Sequence, residues 1–238
     1  MKLYFNGCSH TWGDDLENPS AQSWPALIAN QLNCEFVNDS ARGGSNDRIM
    51  YRTIKHIDQF DKFYIAWTFS SRFTRYRSDN NHEVNFNSRL THLLYGNEPD
   101  FKTYGQIHYR IWHNELYNFK IWLQNIILLQ SLFKLKNKRY VMLNTDNNLI
   151  DQWSVDGPNF NDSIKSLVCF DAMNDEQLLA EHKEIQLLLS QIDYSNFVGW
   201  NNWWLTLLTT QYPTGETGHL LEAGHQAIAN YILQHDSY

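Results

Sequence analysis

The sequence predicts an α/β fold, a three-layer α/β/α sandwich in which a mainly parallel central sheet is covered by helices on both faces. Three observations predict it. Strand and helix signals alternate through the first third of the chain, the pattern of a parallel sheet with crossover helices. With 238 residues, 42% hydrophobic and 15% aromatic, the chain is large and apolar enough to bury a full core. Neither an internal repeat nor a low-complexity linker divides it, so residues 1–238 are expected to form one domain, with irregular insertions near 73–105 and 146–173.

The elements follow in order. "KLYFN" at the start reads as a strand, "SWPALIANQL" as a helix, "EFVND" as a strand, "NDRIMYRTIKHI" as a helix and "KFYIAWT" as a buried strand. From Phe73 to Gly105 the pattern dissolves into Asn, Asp, Arg and aromatic residues. A helix is then expected from about Gln106 to Lys136, because Leu116, Phe119, Trp122, Leu123, Ile126, Ile127, Gln130 and Phe133 recur mostly at three- and four-residue spacings. It leads into the strand "RYVMLNT". After the second irregular region, "NDEQLLAEHKEIQLLLSQI" is a helix with Asn174 as its N-cap and acids in its first turn. The stretch "FVGWNNWWLTLL" fits a strand, a helix or both. "EAGHQAIANYILQ" closes the chain as a helix with Ala227, Ile228, Tyr231 and Ile232 on one face.

Composition narrows the function classes. A net charge of −7 argues against a general nucleic-acid or membrane-surface binder, which needs a clustered positive field. Of two local basic runs, "KLKNKR" ends a helical pattern, where cations suit the helix dipole. "RFTRYR", Arg72 to Arg77, is either a solvated loop or a contact for an anionic substrate group. Cys8, Cys34 and Cys169 are odd in number and lack metal-ligand spacing, as expected of buried thiols in a reducing compartment. The N-terminus is too polar for a signal peptide, and the apolar run from Ile121 is interrupted by Gln124, Asn125 and Gln130. A soluble, cytoplasmic protein is the expectation.

Three short blocks carry the candidate chemistry. "GCSHTWG" places Ser9 just after the first strand, between Gly7 and Gly13. A serine there is either a helix cap or a nucleophile, and a nucleophile needs a base and donors for the developing oxyanion. In "NDSARGGSNDRI", Gly43 and Gly44 lie between a strand and a helix, where a backbone N–H could supply such a donor; an ordinary turn is the alternative. In "GETGHLLEAGHQAIA", His219 precedes the last helix and Glu216 stands three residues upstream, a spacing that lets a carboxylate orient an imidazole. His225 falls inside the helix as a packing or capping residue. In an open parallel sheet, loops after the strands share one edge, which would bring Ser9, the glycine loop and the segment after Trp67 together.

The order of these blocks resembles the SGNH (GDSL-like) hydrolase superfamily over roughly the first 75 and last 35 residues. The resemblance implies a flavodoxin-like sandwich and a serine esterase needing no metal or organic cofactor. It makes Ser9 the nucleophile, His219 the base and Glu216 the acid. Ser9 and Gly43, with Gly44 adjacent and Ser70 in the third block, would form the oxyanion hole, and His10, Thr68 and Arg72 would touch substrate. Three departures stand out: Cys8 where the family has Asp, "IAWTFSSR" in place of Gly-x-Asn-Asp, and Glu as the acid. The implied substrate is a small acyl ester, for which Trp200, Trp203 and Trp204 would offer sugar-stacking surfaces if it is an O-acetylated carbohydrate. Alternatives are a catalytically silent glycan- or protein-binding module of the same fold, Cys8 as nucleophile, and a metal held by His10, Asp14, Asp15 and His219.

Overall fold

The structure is a computed structural model that describes residues 1–76, 83–86, 103–105, 107–108, 111, 114–145, 175–200 and 204–236 of the 238. Four strands, β1 (Lys2–Asn6), β2 (Glu35–Asn38), β3 (Lys62–Trp67) and β6 (Arg139–Asn144), form one sheet in the order β2-β1-β3-β6. Every pairing is parallel, with Tyr4 level with Val37 and Phe63, and Phe63 level with Tyr140. The expected α/β sandwich with a parallel central sheet is therefore present.

Alternation along the strands builds a core on each face. Tyr4, Phe63, Ile65, Trp67, Tyr140 and Met142 pack against α4 (Asn46–His56), α5 (Glu115–Leu135) and α6 (Asp175–Leu189). Leu3, Phe5, Tyr64, Ala66, Val141 and Leu143 point the other way, onto α3 (Trp24–Gln31) and α8 (Glu222–His235). Burial of both faces is why β3 has no exposed residue and reads as a continuous apolar run. Two polar ties lock this arrangement. The buried Lys62 ammonium bonds both oxygens of Asp236 just beyond α8, with the Tyr64 hydroxyl on the same carboxylate. The His225 imidazole, 1% exposed, accepts the Trp24 N–H at the start of α3, and burial lowers its pKa to about 4.

Some elements differ from expectation. α5 begins at Glu115 because the Asn114 side chain caps it by accepting the Tyr117 N–H. Within the first expected insertion, β4 (Phe73–Tyr76) and β5 (Glu83–Phe86) pair antiparallel, with Phe73 and Phe86 stacked 4.5 Å apart. In the ambiguous stretch near residue 200, Phe197 makes one isolated parallel bridge to Met142 rather than a strand, and α7 (Trp204–Gln211) is helical. Two single-turn helices, α1 (Ser9–Trp12) and α2 (Pro19–Gln22), precede α3. The second insertion, Asn174 and Cys169 lie outside the described residues. Among the described residues, no helix is long and apolar enough to cross a membrane.

Candidate active site

All four strands run the same way, so the loops that follow them meet at one edge of the sheet. The turn after β1 is held from below by Asn6, whose amide oxygen accepts the Gly7 N–H at 2.9 Å while its amide nitrogen donates to the Ile49 carbonyl and the Thr53 hydroxyl. Gly7 is dictated by contact: a Cβ there would fall 2.2 Å from the Thr11 hydroxyl oxygen. Ser9 then opens α1, 5% exposed. As the first residue of a helix it has an N–H with no intrahelical acceptor, and among the described residues its hydroxyl has no hydrogen-bond partner. Cys8 is fully buried, its thiol 3.8 Å from the Thr145 hydroxyl and out of reach of a substrate.

The glycine loop folds onto this turn. Gly44 sits so close that an added Cβ would be 3.2 Å from the Gly7 carbonyl oxygen, and its N–H is committed to the Ala41 carbonyl at 3.0 Å. Gly43 adopts φ 65°, and its N–H has no acceptor among the described residues. Of the two glycines only Gly43 therefore has a donor free. Asn46, at the start of α4, ties in the third loop: its oxygen accepts the Thr68 N–H, and its nitrogen donates to the carbonyls of Thr68 and Phe69. The Thr68 hydroxyl accepts from Arg72 Nη1 at 2.9 Å. Ser70 is half-buried, with no hydrogen-bond partner among the described residues.

From the other end of the chain, His219 arrives on a tight loop closed by the Gly215 N–H on the His219 carbonyl and by the bridge of Thr214 to Leu220. This loop docks on Asp15, just past α1. One Asp15 oxygen accepts the Thr217 N–H at 3.0 Å, the Thr217 hydroxyl at 2.8 Å and the His219 N–H at 3.2 Å. The Thr217 hydroxyl, donating to Asp15, lies 2.7 Å from His219 Nδ1 and so accepts a proton from it. That bond selects the tautomer with the lone pair on Nε2. Nε2 lies 4.0 Å from Asp14, and the ring rests on that of His10 with centroids 4.3 Å apart.

These placements fix the charge states. Burial lowers the His219 pKa, and Arg72 and Arg42 push the same way, against the opposing pull of Asp14 and Asp15. The Asp15 carboxyl is desolvated, but the hydrogen bonds from Thr217 and His219 outweigh that and hold its pKa below the ordinary value. Burial, with His219 and Arg72 nearby, drives the His10 pKa well below the usual histidine value. Near neutrality the site thus holds two uncharged imidazoles beside ionised Asp15.

The structure brings Ser9, His10, Gly43 and His219 to one edge but leaves Glu216 out. Glu216 is exposed and, among the described residues, makes no hydrogen bond or ion pair. The carboxylates at the imidazole are those of Asp14 and Asp15, from the opposite end of the chain, because the Gly215–Gly218 turn points the Glu216 side chain to solvent while its backbone docks on Asp15. Ser9 and His219 are not hydrogen-bonded to each other; such contacts commonly tighten only when substrate binds. Trp200 packs on Trp122, Phe197 and Tyr194 and is part of the core wall. Among the described residues, no group of three or more His, Cys, Asp or Glu is placed to hold a metal ion. Sequence reasoning missed Thr217 and Asn46, and it took Asp15 only for a metal ligand. The signal for Asp15 was the acidic pair directly after Gly13.

Residues 11–165 match a family described as a family of unknown function (DUF6071). No curated protein matches the sequence. Solved structures similar to this one include that of TesA, at a TM-score of 0.51 and 13% identity, covering 99% of this chain and 97% of TesA. Others are a mutant of Axe2, an acetyl-xylooligosaccharide esterase from Geobacillus (TM-score 0.49, 15% identity, 100% and 94% covered), and a member of the lipolytic G-D-S-L family from Veillonella parvula (0.47, 11%, 98% and 97%). At these identities the likeness to TesA is one of fold.

Proposed function

We propose that this chain, which belongs to the DUF6071 family of unknown function, is a serine ester hydrolase acting on small acyl esters, with Ser9 as nucleophile and His219 as base. Asp15, acting through Thr217, takes the place expected for Glu216. The observation that carries the reading is the Asp15–Thr217–His219 chain of hydrogen bonds, which leaves Nε2 as the free base at the strand edge where Ser9 stands.

In this reading Ser9 Oγ attacks the ester carbonyl and its proton passes to His219 Nε2. The carbonyl oxygen becomes an oxyanion held by the unpaired N–H groups of Ser9 and Gly43, with the Ser70 hydroxyl as a third donor. Imidazolium is stabilised by Asp14 on one side and by Thr217 and Asp15 on the other. His219 returns the proton to the departing alkoxide, leaving an acyl-serine. Water then attacks, giving its proton to His219, and the acid leaves with Ser9 restored. Nothing in the sequence requires a cofactor for these steps.

The test is hydrolysis of p-nitrophenyl acetate and of an acetylated sugar by the native chain and by Ser9→Ala and His219→Ala. Each variant should lose about 10³-fold or more in kcat, as expected for a member of a serine–histidine unit. Native-like rates in either variant would refute the assignment.

A further inference from the structure

Beside the site, the β3–β4 segment and α5 enclose a cavity of about 240 Å³, lined in part by Asn46, Ser70, Arg72, Arg75, Trp122 and Asn125. Neither Ser9 nor His219 lines it among the described residues. Its wall is rich in hydrogen-bond donors. Asp47 is the one carboxylate among the described lining residues, and it lies 4.0 Å from Arg75. Arg72 has no carboxylate partner among the described residues. It is 8% exposed, its Nη1 bonds Thr68, its guanidinium lies 4.7 Å from the Phe69 ring centroid, and its buried Nε–H has no acceptor among the described residues. Trp122, 5% exposed, likewise carries a buried indole N–H with no acceptor among the described residues.

A guanidinium held in the interior without a counter-charge loses much of its solvation, which one threonine and one ring only partly offset. The chain as a whole is negative, at −7, so this positive site stands against the general field. From these observations we propose that the cavity binds an anionic group, a carboxylate or a phosphate, carried by the substrate, with Arg72 as its counter-ion. This names the substrate class of the proposed esterase and rests on that reading, although anion binding itself does not require hydrolysis. Arg72 also links the two places, since its charge helps to lower the pKa values of His10 and His219. At this volume, below the usual range for drug-sized ligands, the cavity suits one small charged moiety rather than a long chain.

Isothermal titration of the full chain with glucuronate, inorganic phosphate and glucose at constant ionic strength tests this. At least one anion should bind, and glucose should bind at least about tenfold more weakly. Whichever anion binds more tightly identifies the group as carboxylate or phosphate. Arg72→Gln should weaken anion binding about tenfold or more, and Asn125→Asp, which places a negative charge on the same wall without touching Arg72, should weaken it too. Ser9→Ala should bind the anion as the native chain does. Glucose binding as tightly as either anion, no binding of any probe, or native affinity in both wall variants would overturn the proposal. Loss of the esterase reading alone would show instead as anion binding with no Ser9-dependent turnover.

Discussion

Asp15 holds a backbone φ of 68°, in the left-handed region that L-residues other than Asn and Asp seldom occupy. Such a conformation persists where the surroundings hold it, and here one carboxylate oxygen gathers three donors from the His219 loop. The same geometry sets Asp15, rather than Glu216, against the His219 loop, and the proposed mechanism makes it the carboxylate that supports the imidazole. Asp15→Asn should lower kcat at least about 10²-fold, because the amide no longer stabilises imidazolium. Glu216→Gln should leave kcat within about twofold, its side chain lying in solvent. The pH profile carries a sign as well. His219 must be neutral to take the serine proton, so activity should hold above its depressed pKa and fall only as pH drops below the ordinary histidine value near 6.5. Removing the Asp15 charge, which pulls that pKa upward, should move the acid limb to still lower pH.

At the scale of elements, the site depends on how closely three loops pack over the ends of β1, β2 and β3. Gly7 and Gly44 allow that approach, with the Gly44 position against the Gly7 carbonyl and the Gly7 position against Thr11. Gly7→Ala should therefore destabilise the fold by about 1–3 kcal/mol through overpacking, read from the urea midpoint. It should also reduce activity beyond the loss of folded protein, since Ser9 would shift with α1. Asn46 performs the corresponding task for the third loop, clamping Thr68 and Phe69 by three hydrogen bonds. The antiparallel pair β4 and β5 is hard to see in the sequence because each strand has only four residues: β5 alternates, but β4 does not, and Thr74 and Asn85 face one another through a hydrogen bond rather than an apolar contact.

For the molecule as a whole, the chain ends matter together. β1 and β3 lie in the sheet, while α8 covers one face and is anchored at its end by the Lys62–Asp236 pair. Asp236→Ala should cost about 3–5 kcal/mol, because it strands a buried ammonium; Lys62→Met combined with Asp236→Leu should recover most of that, both read by thermal unfolding.

The strand and helix alternation, the buried character of β3 and the placing of Ser9 and His219 near one edge were legible in residues alone. Periodicity reports which side of an element is buried, and parallel strands put their following loops together. The preference for Gly43 was already legible in the sequence, whereas the meeting of the His219 loop with Asp15 rather than Glu216, and the position of Thr217 between them, came only from tertiary structure. Those placements depend on backbone direction within a turn and on contacts between residues some 200 positions apart, which spacing along one segment does not encode. Arg72 makes the same point, for a basic run in a sequence does not say which of its charges is buried with no carboxylate partner among the described residues.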